Sequence, residues 1–233
     1  MMVRHWSDLP ERPVLPAGDC QVWLAWLDEE TPCSYWGFLS EDERLRAGRL
    51  HSPRSADRFT VTRGILRALL GHYLASRPER LVFAYGPHGK PELAGSLQAR
   101  LSFNVSHSGG LAVFAVASGF EVGVDIEEVH PVNDLEATAS IFLSPDELAE
   151  FKAMPAAEKL ERFFVVWTCK EAVLKALGAG FTNPAKSVLA RFSQTEPKGD
   201  GQNDNFQNKR LTLLNPAEGF KGALACLYPP SKE

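Results

Sequence analysis

The sequence lacks the long apolar runs of membrane proteins and the cysteine patterns of metal-bound or disulfide-bonded scaffolds. No apolar stretch approaches the about 20 residues that span a bilayer, and residues 1–13 contain no apolar core of a secretion signal. The four cysteines, at positions 20, 33, 169 and 226, form no C-x-x-C pair. These absences predict a cytoplasmic protein with no membrane span, no structural zinc and no disulfide framework.

The chain also lacks an excess of either charge. Its formal net charge is −4, and its 23% charged and 44% hydrophobic residues are ordinary for a globular protein, so nucleic acid is not an expected partner. Residues 44–67 are the exception, because they contain seven arginines and a single acid, Asp57. This local basic region predicts an anionic partner.

Residues 121–129, EVGVDIEEV, are the most informative strand. Apolar residues alternate with Gly123, Asp125 and Glu127, so we expect both carboxylates on one face. Two neighbouring carboxylates repel unless a cation or a proton lies between them. A hard metal ion would meet that need, as would an arginine or lysine, or plain solvation.

A helix predicted from about residue 157 to 177 places Lys170 within its apolar stripe, Glu171 at the edge of that stripe and Lys175 one turn further on. A structural pair, Glu171–Lys175 or Lys170 with an aspartate, would satisfy these charges. Together with Asp125 and Glu127, however, Glu171 completes a set of three carboxylates that suits Mg²⁺, with Lys175 beside a phosphate.

His107 lies in a Ser-His-Ser-Gly-Gly turn at the end of a second predicted strand. It could be a turn histidine bonded to the backbone, or a phosphate contact together with Ser106. A catalytic Ser–His pair is disfavoured, because neighbours on a strand point opposite ways and no G-x-S-x-G motif is present. Lys90, in a Gly-Lys-Pro turn, has the ordinary alternative of a solvated loop lysine.

The basic region divides into two kinds of arginine. Arg58 and Arg63 flank the apolar stripe of a helix predicted over residues 54–74, where a guanidinium needs a carboxylate or a phosphate. Arg54 and Arg67 are predicted to face solvent.

The two halves of the chain echo each other. A helix-capping box formed by Ser40 and Glu43 recurs 104 positions later as Ser144 and Glu147, and the two long helices superpose at the same displacement. We therefore predict an α+β fold of two similar lobes, residues 1–119 and 120–233, related by internal duplication. Each lobe would be a small antiparallel-rich sheet packed on a long helix. The polar stretch 193–209 predicts an exposed loop.

Several motifs together match one family. They are L-S-x-x-E-x-x-R at 39–46, Gly-Lys-Pro at 89–91, F-N-V-S-H-S at 103–108, G-V-D-I-E at 123–127 and W-x-x-K-E-A-x-x-K at 167–175. The chain resembles the 4′-phosphopantetheinyl transferases, in particular the two-lobed monomeric type. The resemblance implies a monomer with a pseudo-twofold pair of α+β lobes and the active site between them.

The resemblance also implies the reaction and the roles of single residues. The family transfers the phosphopantetheine arm of coenzyme A to a serine of an apo acyl or peptidyl carrier protein of a fatty-acid, polyketide or peptide synthase, and releases adenosine 3′,5′-bisphosphate. By resemblance, Asp125, Glu127 and Glu171 would bind Mg²⁺ or Mn²⁺; Lys90, Ser106, His107 and Lys175 would contact the pyrophosphate; and Arg58 and Arg46 would bind the 3′-phosphate. Glu171, Lys175 and His107 would be the catalytic residues, with Glu171 or a metal-ordered water accepting the serine proton.

Two other functions remain open on the residues alone. A Mg²⁺-dependent phosphohydrolase would use the same carboxylates but would need a path for water. A non-catalytic carrier-binding module would need none of the charged residues, yet every charged position that the family uses is present apart from a variable upstream lysine or arginine.

Overall fold

In this computed structural model, the chain folds into two small sheets stacked between two long helices. The structure describes residues 2–95, 101–179 and 208–230. The mixed α+β class predicted from the sequence is confirmed. Residues 193–207 of the predicted polar loop lie outside the described residues.

The strands form three groups. The first sheet has the order β1-β2-β6-β5, with β1 Val3–His5, β2 Cys20–Trp26, β5 Ser102–Ser108 and β6 Leu111–Ala117. The second sheet has the order β7-β9-β8, with β7 Glu121–Glu128, β8 Lys209–Leu214 and β9 Phe220–Leu227. A separate pair consists of β3 Phe83–Tyr85 and β4 Pro91–Leu93. All neighbouring strands are antiparallel except β1 and β2.

The α-helices of the described chain lie on both sides of these sheets. They are α1 Cys33–Trp36, α2 Glu41–Gly48, α3 Pro53–Leu74, α4 Leu135–Phe142, α5 Pro145–Ala153 and α6 Ala156–Leu177. Single 3₁₀ turns occur at Trp6–Asp8 and Pro78–Arg80. A search of the described helices finds none with the length and apolar character of a membrane span.

Each long helix covers the outer face of one sheet. In the first half, Ile65 and Leu69 of α3 pack against Trp23 and Phe114. In the second half, Phe163 and Val173 of α6 join Ala223 and Ala225 of β9. The inner faces of the two sheets meet in a third cluster, formed by β2, β6, β7 and β9. The two halves therefore share one buried interface.

Both capping boxes are present, and each of their glutamates is buried. Glu43 accepts a hydrogen bond from Arg67 Nε at 2.6 Å, and Glu147 accepts one from Lys170 Nζ at 2.8 Å. Arg67 was predicted to face solvent, which is wrong: its side chain is 1% exposed and also donates to the carbonyls of Pro78 and Leu81. Helical periodicity cannot anticipate partners that come from other segments.

Candidate functional site

The polar face of β7 packs against α6, because Gly123 allows the helix to approach. A Cβ at position 123 would lie 2.1 Å from the carbonyl oxygen of Ala172 and 2.3 Å from the amide nitrogen of Ala176, both on the α6 backbone. Opposite this contact, Val122, Val124 and Ile126 enter the core between the sheets. The alternation predicted for residues 121–129 therefore holds, and it directs Asp125 and Glu127 towards α6.

Asp125 lies where both halves of the chain meet. Its Oδ1 accepts hydrogen bonds from Lys175 Nζ at 2.6 Å, on α6, and from Ser106 Oγ at 2.9 Å, on β5. The residue is 3% exposed, and burial raises its pKa despite the opposing effect of Lys175. Its second oxygen, Oδ2, is buried with no hydrogen-bond partner among the described residues.

Glu127 is held by donors from two elements. Ser108 Oγ donates to its Oε2 at 2.6 Å, and the side chain of Trp167 also bonds to it. Loss of hydration raises the pKa of Glu127, and the negative charge of Asp125 raises it further. The three residues of the predicted metal set are thus electrostatically coupled.

Glu171 extends from α6 into the same region. Partial burial raises its pKa, and so do the charges of Asp125 and Glu127. Its Oε1 is buried and unpartnered among the described residues. The alternative structural pair of Glu171 with Lys175 is not formed as a hydrogen bond, since Lys175 Nζ bonds to Asp125 and Ser106.

The charge of this group of carboxylates is incompletely balanced. Lys175 offsets one of the three negative charges. The two that remain equal the charge that one divalent cation would neutralise. Two unpartnered buried oxygens and a set of hard oxygen donors suit Mg²⁺. Within the ranges that the structure describes, however, no three acidic, histidine or cysteine side chains form a ready metal site. The oxygen donors and the charge of these residues suit a divalent cation, and Asp125 is hydrogen-bonded to Lys175.

His107 interacts electrostatically with Lys175 and with Arg58. Partial burial lowers the pKa of His107, and the charges of Lys175 and Arg58 lower it further. Arg58 donates to both oxygens of Asp28, at 2.8 and 2.7 Å, and these hydrogen bonds lower the pKa of Asp28. Arg58 also lines a cavity of about 600 Å³ next to Gly109 and Gly110.

Two other residues predicted for the site have their contacts elsewhere. Lys90 Nζ donates to Glu121 Oε2 at 2.7 Å and to the carbonyl of Ala176 at 3.2 Å. The helix residue that Lys90 contacts, Ala176, directly follows Lys175 in α6, but the ammonium group of Lys90 pairs with Glu121. Arg46 is exposed and places its guanidinium over the ring of Phe59.

Sequence reasoning missed three residues that organise the site. Ser108 shares the polar face of β5 with Ser106, so the period of two could have identified it. Trp167 begins the W-x-x-K-E-A-x-x-K motif, and the need of a buried indole N–H for an acceptor could have identified it. Asp28 carries no signal in the sequence, because it comes from a turn 30 residues away from Arg58.

Two family models match consecutive parts of the chain. The model described as "4'-phosphopantetheinyl transferase, N-terminal" matches residues 28–119, and that of the "4'-phosphopantetheinyl transferase superfamily" matches residues 121–214. The two matches meet at the turn that joins β6 to β7. The lobe boundary at residues 119 and 120 stays a prediction.

Curated proteins of similar sequence include three bacterial enzymes. The chain is 38% identical over 200 residues to the 4'-phosphopantetheinyl transferase HetI of Nostoc sp., covering 84% of each chain. It is 34% identical over 165 residues to 4'-phosphopantetheinyl transferase psf-1 of Bacillus pumilus, covering 71% of this chain and 66% of the relative. It is 25% identical over 207 residues to 4'-phosphopantetheinyl transferase Sfp of Bacillus subtilis, covering 89% and 90%.

Proposed function

The chain belongs to the 4′-phosphopantetheinyl transferase family, and on that premise we propose how it acts. It is a transferase that moves the 4′-phosphopantetheine group of coenzyme A to a serine of an apo acyl or peptidyl carrier protein. The serine oxygen forms a bond to the phosphorus that bears the pantetheine arm. The bond from that phosphorus to the bridging oxygen breaks, and adenosine 3′,5′-bisphosphate leaves.

One observation carries the assignment of the site. Three carboxylates with raised pKa values lie where β5, β7 and α6 meet, two of their oxygens are buried without a partner among the described residues, and Lys175 bonds to one of the three. Such an arrangement is costly in an empty protein and becomes favourable once a cation and an anionic substrate share it. A pyrophosphate with a divalent cation has that chemistry.

Asp125, Glu127 and Glu171 are the residues that would hold Mg²⁺ or Mn²⁺. When bound, the ion would neutralise charge on the pyrophosphate oxygens and so stabilise the leaving group. The raised pKa values support this, because a dication between the carboxylates would favour their ionised forms.

The remaining residues bind and orient the substrate. Lys175, which bonds to Asp125 and Ser106, is the residue that donates to a phosphate oxygen, and Ser106 and His107 lie beside it to do the same. Arg58, with Arg46, binds the 3′-phosphate. Lys90 contacts the pyrophosphate in place of its ion pair with Glu121. Glu171, or a water that the metal would order, accepts the proton of the carrier serine.

The direct test is incubation with coenzyme A, Mg²⁺ and an apo carrier protein, followed by intact mass measurement of the carrier. We expect the carrier to gain one phosphopantetheine group. Cleavage of coenzyme A without any gain on fatty-acid, polyketide or peptide carriers would favour the phosphohydrolase. Binding of coenzyme A and carrier without turnover would favour the non-catalytic module.

Two variants test the carboxylates. Asp125→Ala and Glu171→Gln should each lower kcat/KM for carrier modification by more than about 100-fold, because the charge of the cation site would be incomplete. Circular dichroism and thermal unfolding serve as the control for folding. Full turnover by both folded variants would contradict the assignment.

A third variant tests the 3′-phosphate contact. Arg58→Ala should raise the KM for coenzyme A about tenfold or more with a smaller change in kcat, because a charge-assisted hydrogen bond to the ground state is lost. Arg77→Ala is the matched control, since this exposed arginine pairs only with Glu79 in the described contacts. An unchanged KM for coenzyme A would place the 3′-phosphate elsewhere.

The organisation of the chain completes the proposal. The repeated capping boxes, each with a glutamate bonded to a buried cation of the following long helix, support two lobes related by internal duplication. Since one chain would then contain both lobes of the active site, the enzyme needs no second subunit. A monomer acting in the cytoplasm is the arrangement that we propose.

A further inference from the structure

β5 and β7 are neighbouring sheet edges that are joined by side chains. The strands belong to different sheets, and backbone N–H groups of β7 point at polar side chains of β5 instead of at its carbonyls. The hydrogen bonds run from Val122 N to Ser102 at 3.3 Å, from Val124 N to Asn104 at 3.0 Å, from Ile126 N to Ser106 at 3.3 Å and from Glu128 N to Ser108 at 3.1 Å. We call these four bonds the β5–β7 ladder.

The ladder forms because both strands alternate with a period of two residues, β5 in its side chains and β7 in its backbone N–H groups. Alternate residues of β5 place their side chains on one face, and alternate residues of β7 direct their N–H groups to the edge that β9 does not cover. Buried amide groups at that edge need acceptors. Short serine and asparagine side chains provide them, so a constant offset of 20 residues joins every donor to its acceptor.

Three of the serines use their hydroxyl hydrogen on a carboxylate of β7. Ser102 donates to Glu121 at 3.3 Å, Ser106 to Asp125 at 2.9 Å and Ser108 to Glu127 at 2.6 Å. Each serine thereby fixes a backbone amide and an adjacent acidic side chain at once. At two of the three positions that acidic side chain is one of the carboxylates proposed above to bind a divalent cation.

We propose that Ser108 is a positioning residue that sets the carboxylate of Glu127 for binding the divalent cation, a role that rests on the function proposed above. Glu127 interacts with the negative charges of Asp125 and Glu171, which repel its carboxylate. Ser108 of β5 and Trp167 of α6 hold the carboxylate against that repulsion by bonding to it from two elements. Because Ser108 Oγ is itself fixed by the amide of Glu128, the carboxylate has a defined orientation before the cation arrives.

The test compares Ser108→Ala with Ser102→Ala in the full chain. Both variants remove one rung of the ladder and one serine–glutamate hydrogen bond, but Glu121 is not among the cation-binding residues. Mn²⁺ affinity is measured by electron paramagnetic resonance at saturating coenzyme A, and thermal unfolding is measured without metal. We expect Ser108→Ala to weaken Mn²⁺ binding about tenfold, Ser102→Ala to leave it nearly unchanged, and both to lose similar stability.

Ser108→Thr provides a second variant, because it retains the hydroxyl. It should restore Mn²⁺ affinity to within a few fold of the unsubstituted chain even where its stability is reduced. Equal Mn²⁺ affinities of Ser108→Ala and Ser102→Ala, in a chain that still modifies its carrier, would overturn the positioning role and leave the transferase function intact. An unsubstituted chain that binds no Mn²⁺ and modifies no carrier would overturn both.

Discussion

The pKa of His107 is below the ordinary 6.5 because of burial and the positive charges of Lys175 and Arg58. The free enzyme should therefore hold a neutral imidazole at pH 7. Coenzyme A brings phosphates, which favour the imidazolium form, so we predict that the pKa of His107 rises when coenzyme A binds. ¹H–¹³C NMR titration with and without coenzyme A measures this, with His107→Gln to assign the signal.

The same shift has a consequence for stability. Between its lowered folded value and 6.5, the folded chain binds fewer protons at His107 than the unfolded chain does, so His107 makes stability fall as pH falls through that window. His107→Gln should remove this part of the pH dependence. A pKa that coenzyme A leaves unchanged would instead identify His107 as a turn histidine.

Glu43 and its arginines form a buried ion pair that serves the fold. Glu43 is 1% exposed and accepts from Arg67, while Arg63 lies 3.3 Å away. Glu43→Ala would leave the buried guanidinium of Arg67 without a negative counter-charge and would also remove a capping box. We predict a loss of about 3–5 kcal/mol in the free energy of unfolding, measured by urea denaturation. The control is Asp42→Ala, an exposed acid of the same helical turn, for which the loss should be about 0.3–1 kcal/mol.

At the scale of elements, local periodicity predicts the faces of strands and the starts of helices, but it does not predict which distant residues pair. The alternation in β7 correctly places Val124 in the core and Asp125 on the opposite face, and the capping boxes locate two helix starts. What periodicity cannot supply is the identity of partners distant in sequence. Periodicity therefore does not predict the ion pair of Lys175 with Asp125 or the buried ion pair of Arg67 with Glu43.

The contact between β7 and α6 depends on Gly123. A methyl group there would overlap backbone atoms of α6, which cannot move aside as a flexible side chain can. We predict that Gly123→Ala pushes α6 away from β7, costs about 1–3 kcal/mol of stability and lowers carrier modification by separating Lys175 and Glu171 from Asp125. Thermal unfolding and the mass assay measure both effects.

Gly48→Ala is the matched control for this substitution. Gly48 lies in α2, and a Cβ added there meets no atom within 4 Å. Alanine should therefore be neutral or stabilising by about 0.5–1 kcal/mol, because it restricts the unfolded chain. Retained activity and stability in Gly123→Ala would show that α6 can adjust its position without disturbing the site.

At the scale of the whole molecule, the candidate site draws on both halves of the chain. Ser106 and Ser108 lie on β5, in the first half, whereas Asp125, Glu127 and Lys175 lie on β7 and α6, in the second half. The sequence motifs identified most of these residues, but they could not show that β5 hydroxyls reach β7 carboxylates. That contact exists only because the two sheets are stacked with β5 and β7 at adjoining edges.

The stacked sheets also decide whether the lobes can fold separately. Val122, Val124 and Ile126 are fully buried against the first sheet, and exposing one such side chain costs about 1.5–3 kcal/mol. Three of them together rival the whole stability of a typical domain, about 5–15 kcal/mol. We therefore predict that fragments 1–119 and 120–233, expressed separately, show no cooperative unfolding by calorimetry, while the intact chain unfolds in one transition. A chain cut at Gly119 after folding is the control, since it has the same break but keeps both lobes together and should remain folded and active. Cooperative unfolding of either isolated fragment would show that its lobe is stable without the shared interface.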